Sequence, residues 1–381
     1  MKILYDYQTF SAQRFGGVSK CFCELISNMP SDVETEIAVK YSRNSHLITS
    51  GLVPNLNITN GDRFSFVREK PFPGKYFLYD LCSKYLPTSN FRNRQYAIEA
   101  IKGGEFDVFH PTYFYDYYLP YIWKKPFVLT IHDMMPEVYP SLFPKNYWQV
   151  EAKKYLAEKA SAIVAVSQNT KDDILKFIDV NPDKIHVVYH GGPQVEIIQG
   201  ESLIDTPYFL YVGLRNAYKN FAATIKDFSV FTKSHPEVKM VFTGKPFNSE
   251  EWAILNEFGV ANKVMNYFAS DEEMKLLYKH AIAFVYPSLY EGFGMPILEA
   301  YAYGCPVLLN NKSCFPEIAQ EAAVYFELDE QHQNLSVMLE KVYNFTTEER
   351  NCLIEKQYDR LKCFSWSDSA KKLSSIYQSL I

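Results

Sequence analysis

The 381-residue sequence lacks the features that would place it in a membrane or outside the cell. It contains no run of ~18 apolar residues, so no transmembrane helix is expected. Its first residues, MKILYDY, put Asp6 where a signal peptide would need an apolar core. The seven cysteines are odd in number, scattered and mostly within apolar segments, which favours reduced core thiols over a disulfide framework. We therefore expect a cytoplasmic protein.

Several functional signatures are also missing. The cysteines and histidines show no zinc-ligand spacing, and no G-x-G-x-x-G opens either half of the chain, which argues against a dinucleotide oxidoreductase. A net charge of -5 argues against nucleic acid as a partner. With 47% hydrophobic and 22% charged residues, the composition is that of a globular protein, and the length suits two domains. Neither a metal nor a cofactor is predicted.

Apolar runs alternate with amphipathic segments along the chain, which is typical of parallel sheets with helical crossovers. The first half predicts strands at residues 2–5, 36–39, 107–109, 127–131, 162–166 and 185–189. After a turn-rich linker at 191–206, the second half predicts strands at 208–212, 239–243, 264–267, 282–286 and 307–309. The fold class is therefore α/β, with two Rossmann-like domains at 1–190 and 191–363 and a C-terminal helical segment at 364–381.

The most informative stretch runs from Tyr286 to Val307 and reads YPSLYEGFGMPILEAYAYGCPV. A predicted strand leads into a turn containing Gly292 and Gly294, and Pro296 stands where a helix should begin. Free amides at a helix start favour an anionic group such as a phosphate, and ligands of open α/β sheets bind beyond the carboxyl ends of the strands. Carboxylates suit the neighbouring hydroxyls of a sugar because they accept paired hydrogen bonds. Glu291 and Glu299 bracket this turn.

The pattern E-G-F-G-x-P-x-x-E-A, followed by A-x-G-C-P-V, resembles the E-x7-E signature of retaining glycosyltransferases of family 4, which have the two-domain GT-B fold. The resemblance covers nearly the whole chain and includes bacterial mannosyl-type transferases of surface polysaccharide synthesis. It implies a nucleoside-diphosphate sugar donor bound by the C-terminal domain, a saccharide or lipid-linked acceptor at the N-terminal domain, and a last helix that crosses back to the N-terminal domain. The donor-binding residues implied around the signature are Gly292, Phe293, Gly294, Met295, Pro296 and Glu299, with Glu291 as a catalytic residue.

A glycine pair, Gly16 and Gly17, opens an amphipathic segment after the first strand. Val18, Phe22, Ile26 and Met29 give that segment one apolar face, so it is expected to be a helix. Glycines would let the helix start approach a ligand without side-chain obstruction, although a glycine pair is equally typical of a simple tight turn. The family resemblance implies that this loop lies beside the donor phosphates and the acceptor.

The loop after strand 208–212 reads GLRNAYKN and resembles the family's diphosphate-binding loop, with Lys219 in register. The commoner family form has arginine directly after the glycine, whereas here Leu214 takes that place and Arg215 follows. Two cations can stabilise the charge of a leaving diphosphate where a metal ion otherwise would. The sequence has no D-x-D triplet, which fits the metal-independent chemistry of the GT-B class.

Histidine and other polar residues follow strands of the first sheet at the expected ligand edge. His132, in the segment HDMMPEVYP, corresponds to a family histidine placed against the donor sugar. His110 and Ser167 also end strands and either line the cleft or serve the core. Lys245, in FTGKP, lies on the loop that in the family is near the nucleotide base.

One region stands apart from the family pattern. Residues 63–94 carry seven basic residues against two acidic ones, a net +5, so the rest of the chain carries -10. Eight aromatic residues are interleaved with these charges. Basic residues among apolar rings are attracted to an anionic membrane surface, so we hypothesise a peripheral contact of Arg63 to Arg94 with the inner face of the plasma membrane. A solvated loop with its rings in the core is an equal alternative.

The resulting prediction is a retaining, metal-independent hexosyltransferase that uses GDP-mannose or a UDP-sugar in polysaccharide biosynthesis, including lipopolysaccharide. A nucleotide-sugar epimerase or a sugar phosphorylase on the same fold is a second hypothesis. A non-catalytic nucleotide-sugar-binding subunit is a third.

Overall fold

A computed structural model describes residues 1–59, 73–74, 88–215, 217–329 and 331–381. Across these residues, strands and helices alternate in two successive halves, and each half builds parallel sheet structure. The strands of the first half are β1 Lys2–Tyr5, β2 Glu34–Ile37, β3 Tyr41–Ser42, β4 Asn57–Ile58, β5 Val108–His110, β6 Val128–Ile131, β7 Ala162–Ala165 and β8 Ile185–Val187. The strands of the second half are β9 Tyr208–Tyr211, β10 Lys239–Thr243, β11 Val264–Tyr267, β12 Phe284–Tyr286, β13 Val307–Asn310 and β14 Val324–Phe326.

Helices connect most of these strands. Those of the first half are α1 Gln8–Ala12, α2 Gly17–Ser27, α3 Ser45–Ser50, α4 Ser89–Gly103, α5 Met135–Val138, α6 Trp148–Lys159 and α7 Gln168–Phe177. Those of the second half are α8 Phe221–Phe231, α9 Ser249–Glu257, α10 Asp271–His280, α11 Met295–Ala302, α12 Phe315–Ala319, α13 Leu335–Tyr343, α14 Thr347–Leu361 and α15 Trp366–Gln378. Short 3-10 turns lie at Pro140–Leu142, Pro182–Lys184 and Ala217–Lys219.

The N-terminal sheet consists of two parallel three-stranded ladders, β2-β1-β5 and β6-β7-β8. A parallel bridge between Phe109 and Phe127 joins the two ladders into one surface. Strands β6 and β7 are buried at every position, as expected for parallel strands covered by helices on both faces. The apolar runs of the sequence therefore become the centre of this domain.

The C-terminal sheet has the strand order β11-β10-β9-β12-β13-β14, and all its pairs are parallel. The chain runs outward from β9 to β11 on one side and from β12 to β14 on the other. The strand order therefore reverses between β9 and β12, and ligands of such sheets bind at that point. The loops that follow β9 and β12 carry Lys219 and Glu291, respectively.

The last helix, α15, packs against the N-terminal domain. Its residues Leu373, Ile376 and Tyr377 belong to the apolar core formed by the first half of the chain. The Tyr377 hydroxyl lies 2.8 Å from the Tyr5 hydroxyl and 2.6 Å from His110 Nδ1. This arrangement confirms the predicted helix that crosses back, together with the two-domain α/β fold class.

Most predicted strands lie where the sequence pattern put them, with ends shifted by up to two residues. Strands β1, β10 and β11 match their predictions end to end. The predicted strand 36–39 is observed at Glu34–Ile37, because the pairing with β1 sets its register. Three short strands, β3, β4 and β14, were not predicted, since runs of two or three residues carry no readable periodicity.

The hypothesised membrane segment, residues 63–94, lies largely outside the described residues. Its described end includes Arg92 and Arg94 on α4. The guanidinium group of Arg92 lies 5.5 Å from the Tyr41 ring centre, and that of Arg94 lies 5.8 Å from the Tyr117 ring centre. In the part of the chain that the structure describes, no helix has the length and apolar character needed to cross a bilayer.

Candidate active site

Lys219 and Glu291 meet in the crevice at the switch point of the C-terminal sheet. The ammonium group of Lys219 contacts Glu291 Oε1, and the two side chains are only 12% and 15% exposed. Lys219 Nζ also lies 5.1 Å from the centre of the Tyr286 ring, which adds a cation–π contact. Tyr218 O accepts a 2.8 Å hydrogen bond from Leu289 N, so the loops after β9 and β12 are tied directly to each other.

The backbone of Glu291 is fixed by Ser313, which follows β13. Ser313 Oγ donates to Glu291 O at 2.7 Å and accepts from Glu291 N at 3.2 Å. Ser313 itself has a φ of 54°, a conformation uncommon for residues other than glycine. Since the backbone is held on both sides, the Glu291 carboxylate is aimed at Lys219 before any ligand arrives. No motif in the chain singles out this serine.

Glu299 lies in the second turn of α11 and pairs across the cleft with Lys20 of the N-terminal domain. Lys20 Nζ is 2.7 Å from Glu299 Oε1, and the two side chains are 34% and 25% exposed. Burial opposes the charge of Lys20, but the Glu299 carboxylate outweighs it and leaves the pKa of Lys20 raised. The pair borders an interdomain cavity of about 340 Å³ that is also lined by Glu24, Gly191, Gly192, Met295 and Trp366.

The glycine pair begins α2 as predicted. Gly16 is the N-cap with an extended φ of 177°, and a Cβ there would lie 2.2 Å from Gln13 Oε1, the end of a flexible side chain. A Cβ at Gly17 would lie 3.9 Å from Met295 Cε, an ordinary contact across the cleft. Gly17 therefore faces the start of α11, and Lys20 stands one turn further along the same helix. Lys20 follows Gly17 by three residues, so it lies on the same face of the helix, and this spacing is the sequence signal that could have identified Lys20.

Gly292 and Gly294 shape the turn before α11. A Cβ on Gly292 would lie 1.7 Å from the backbone oxygen of His132, so only glycine permits this close approach of the two domains. Gly294 has a φ of 89° and is the N-cap of α11. Ser167 Oγ donates to Gly292 O at 2.6 Å, which ties the turn to the start of α7. The turn is therefore seated on the N-terminal domain.

The other residues of the signature divide between packing and the cleft. Phe293 is buried, and its ring centre lies 4.8 Å from that of His190 and 5.7 Å from that of Phe364. Its side chain therefore fills the junction between the domains instead of facing the crevice. Met295 lines the cavity beside Glu299, and Pro296 occupies the first turn of α11, where a proline costs no hydrogen bond.

His132 follows β6 at the edge that faces the C-terminal domain. Burial lowers the pKa of His132 to about 4, so its imidazole is neutral near pH 7. His132 Nε2 is buried and has no hydrogen-bond partner in the structure. A buried polar atom without a partner is costly, which marks this nitrogen as one that a ligand group would satisfy.

Arg215 does not join the Lys219–Glu291 pair. Its guanidinium donates to both carboxylate oxygens of Glu251, at 2.8 and 3.1 Å, and to the backbone oxygen of Lys245 at 2.7 Å. It also lies 4.7 Å from the centre of the Phe247 ring. These contacts fix the loop after β10, on which the Lys245 side chain is exposed at the rim.

His110 and Ser167 serve structural purposes. His110 is fully buried, with Nδ1 at 2.6 Å from Tyr377 Oη and Nε2 at 2.8 Å from Thr130 Oγ1, so it does not line the cleft. Ser167 caps α7 by accepting from Thr170 N at 3.0 Å.

A buried ion pair behind His132 was also not foreseen. Lys153 Nζ lies 2.7 Å from Glu137 Oε2 and donates to Asp133 O at 3.0 Å. The two side chains are 0% and 4% exposed. The pair holds the HDMMPEVYP segment in place, and only the fold brings α6 under this loop.

Two family comparisons match successive parts of the chain. The family described as Glycosyltransferase Family 4 matches residues 58–191, and the family described as Glycosyl transferases group 1 matches residues 195–360. Together they take in most of both halves of the molecule.

Similar proteins and structures point the same way. The O-antigen chain mannosyltransferase RfbU of Salmonella typhimurium is 28% identical over 61% of this chain and 66% of its own, just under two thirds of its length. The O-antigen chain mannosyltransferase B of Escherichia coli is 24% identical over 70% of this chain and 73% of its own. The crystal structure of HepE from Anabaena in complex with UDP and glucose superposes with a TM-score of 0.73 over the full length of both chains, at 15% identity. The two matched regions and the fold show that this chain carries a Glycosyltransferase Family 4 domain followed by a Glycosyl transferases group 1 domain, in the GT-B fold.

Proposed function

We propose that the protein is a retaining, metal-independent hexosyltransferase. It moves a sugar from a nucleoside-diphosphate donor, GDP-mannose first and UDP-sugars second, to a saccharide or lipid-linked saccharide in polysaccharide synthesis. The mannosyltransferase names of the similar bacterial proteins support mannose. The observation that carries the proposal is the crevice itself, where the Lys219–Glu291 pair, Glu299 and the unpartnered nitrogen of His132 are gathered between the two domains.

Each side chain then has a part in binding the donor. Lys219 and the start of α11 near Gly294 stabilise the charge that develops on the departing diphosphate. Glu291 holds hydroxyls of the donor sugar, and Glu299 holds the ribose of the nucleotide. The neutral His132 offers its free nitrogen to another sugar hydroxyl. Lys219 leaves Glu291 for phosphate oxygens when the donor enters.

The transfer takes place on one face of the sugar. The bond from the anomeric carbon to the diphosphate oxygen breaks, the acceptor oxygen forms its bond on the same side, and a phosphate oxygen takes the acceptor proton. No protein base is required for this balance. Orientation by the two glutamates and His132 supplies much of the rate, and closure of the domains excludes water that would hydrolyse the donor.

The remaining predicted residues have supporting parts in the proposal. Gly16 and Gly17 admit the donor phosphates beside the acceptor. Arg215 shapes the base-proximal loop that carries Lys245, and Lys219 is the cation that faces the diphosphate. The proposed domains span residues 1–190, 191–363 and 364–381.

Contact of residues 63–94 with an anionic membrane stays a hypothesis. Vesicle co-sedimentation at low and high salt tests it, and binding unaffected by charge reversal at Lys70, Lys75 and Arg92 would reject it.

The first test is a thermal-shift and hydrolysis screen of nucleoside-diphosphate sugars on the wild-type protein and on Glu299→Ala. A donor at 100-fold above its dissociation constant should stabilise the wild type by about 2.7 kcal/mol and release diphosphate slowly. Glu299→Ala should lose the stabilisation, whereas Glu321→Ala, an exposed glutamate elsewhere on the C-terminal domain, should keep it.

The same screen separates the alternatives. An epimerase would change the donor sugar without releasing diphosphate, and a phosphorylase would require inorganic phosphate in place of a nucleotide. A non-catalytic binding subunit would be stabilised by donor but would release nothing with any acceptor. If no donor shifts either protein, the transferase proposal is rejected.

A further inference from the structure

Three side chains of metal-ligating type that lie far apart in the sequence converge beside the donor crevice. Cys21 comes from α2, His132 follows β6, and His190 lies at the end of the N-terminal half, directly before the linker. Each residue offers one ligand atom, and the three atoms all lie within 4.8 Å of one another. Cys21 Sγ and His190 Nδ1 are 3.2 Å apart.

We propose that Cys21, His132 and His190 form a binding site for one zinc-class cation, and that occupation of this site shuts the donor site. One thiolate and two imidazoles are the ligand types that select zinc or copper over magnesium or calcium. Three protein ligands with a fourth position left open is a common arrangement for zinc.

The distances are compatible with this geometry. Tetrahedral zinc with ligand bonds of ~2.0–2.3 Å sets its ligand atoms roughly 3.3–3.7 Å apart. The Cys21–His190 separation of 3.2 Å already matches, and the other two separations, at most 4.8 Å, would need to shorten by no more than about 1.5 Å. The ring centres of His132 and His190 lie 6.0 Å apart, so both can turn toward one ion.

The three side chains are largely enclosed by the protein, and one of them leaves a path by which an ion could enter. Cys21 and His190 are 1% and 6% exposed, whereas His132 keeps some exposure and gives the ion a way in. A bound metal would displace the proton of the Cys21 thiol, as metal binding to cysteine generally does.

The site would couple metal to activity through two contacts. His132 is the residue we place against the donor sugar, so an ion bound to it would compete with that sugar. His190 packs against Phe293 of the signature turn and lies 5.7 Å, ring centre to ring centre, from Trp366 at the start of α15. An ion would therefore also hold the junction between the domains in one position. The inhibitory effect rests on the proposed function, whereas the binding of metal does not.

Binding is tested on untagged full-length protein in which Cys82, Cys352 and Cys363 are replaced by serine. Four thiols then remain, Cys21 and Cys23 on α2 and Cys305 and Cys314 in the C-terminal core. Titration with Zn²⁺ against a chromophoric chelator should find one ion per chain, and Co²⁺ should give a thiolate charge-transfer band. Cys21→Ser and His190→Gln should each weaken binding by more than the roughly 10- to 100-fold that loss of an outer-shell partner costs. Cys23→Ser, a buried thiol on the same helix, is the matched control and should bind as the parent does.

Inhibition is read separately by donor hydrolysis with and without Zn²⁺. Zinc should inhibit the parent and Cys23→Ser, while Cys21→Ser should keep its activity in the presence of zinc. Circular dichroism shows whether each variant is folded. If Cys21→Ser is unfolded, His190→Gln replaces it as the metal-site variant. Sub-stoichiometric binding, or equal binding by the parent and Cys21→Ser, would overturn the proposal. Absence of turnover with every donor would instead count against the proposed function, since the metal titration needs no turnover.

Discussion

The two glutamates of the signature each pair with a lysine, but the two pairs belong to different kinds of structure. Lys219 and Glu291 both belong to the C-terminal domain, are largely buried, and are fixed by backbone ties through Leu289 and Ser313. Lys20 and Glu299 come from different domains and are more exposed. The first pair is therefore set by one domain alone, whereas the second exists only when the domains lie close together.

A third lysine–glutamate pair, Lys153–Glu137, extends this comparison to full burial. It holds the segment that follows His132, through the hydrogen bond from Lys153 to Asp133 O. Mutation of the most exposed pair, Lys20–Glu299, is expected to change donor affinity. Mutation of Lys219–Glu291 should change turnover, and mutation of the fully buried Lys153–Glu137 should change stability.

The largest effect is expected for Lys153→Met. Removal of one partner from a buried ion pair leaves an uncompensated charge on Glu137, which costs about 3–5 kcal/mol in the free energy of unfolding. Urea unfolding measures it. The double variant Lys153→Met with Glu137→Gln should recover part of the loss, and the exposed neighbour variant Lys154→Met should be near neutral. An unchanged stability of Lys153→Met would show that the pair contributes nothing to the fold.

Lys219→Met should be folded but slow. If Lys219 stabilises the leaving diphosphate, its removal should reduce kcat by about 10²- to 10³-fold, the usual cost of one electrostatic stabiliser. Single-turnover transfer from the donor found in the screen measures the change, with the exposed Lys233→Met as control. A change confined to KM would instead mean that Lys219 binds ground state and transition state equally.

The hydrogen bond between His110 and Tyr377 joins α15 to the N-terminal domain without an ion pair. The burial of His110 at this contact should make the free energy of unfolding depend on pH. Burial lowers the pKa of His110 to about 3. Because unfolded His110 takes up a proton below about pH 6.5 and the folded form does not, the free energy of unfolding should decline by about 1.4 kcal/mol for each pH unit below 6.5. Urea unfolding of wild type and His110→Asn at pH 7.5 and 5.0 measures this, and the wild type should lose about 2 kcal/mol more than the variant. Parallel losses would contradict it.

The smallest effects are expected at the interdomain pair. Glu299→Gln should raise the donor KM about tenfold, because a hydrogen bond to a charged acceptor becomes a neutral one. Lys20→Met keeps the carboxylate and removes a partly exposed ion pair worth at most ~1 kcal/mol, so its KM should change by less than about fivefold. Steady-state kinetics with varied donor distinguishes the two. A larger effect for Lys20→Met than for Glu299→Gln would make Lys20 the principal donor contact.

The agreement between sequence and structure follows the range of the interactions. Alternating apolar runs predicted the parallel strands because burial of each strand is a local property of its residues. The turn before α11 was readable because glycine, proline and glutamate act there through neighbours in the chain. Contacts with distant partners could not be read in this way. Arg215 is held by Glu251, and Phe293 fills the interdomain junction.

Short-range patterns in the chain were enough to predict the fold class, the family resemblance and the order of the loops around the crevice. Which side chains meet could be learned only from the folded molecule. Lys20 reaches Glu299 from a position 279 residues earlier, and Cys21, His132 and His190 converge from three separate elements. Such contacts are fixed by the packing of whole domains and by the return of α15 to the first sheet, and no spacing in the chain records them.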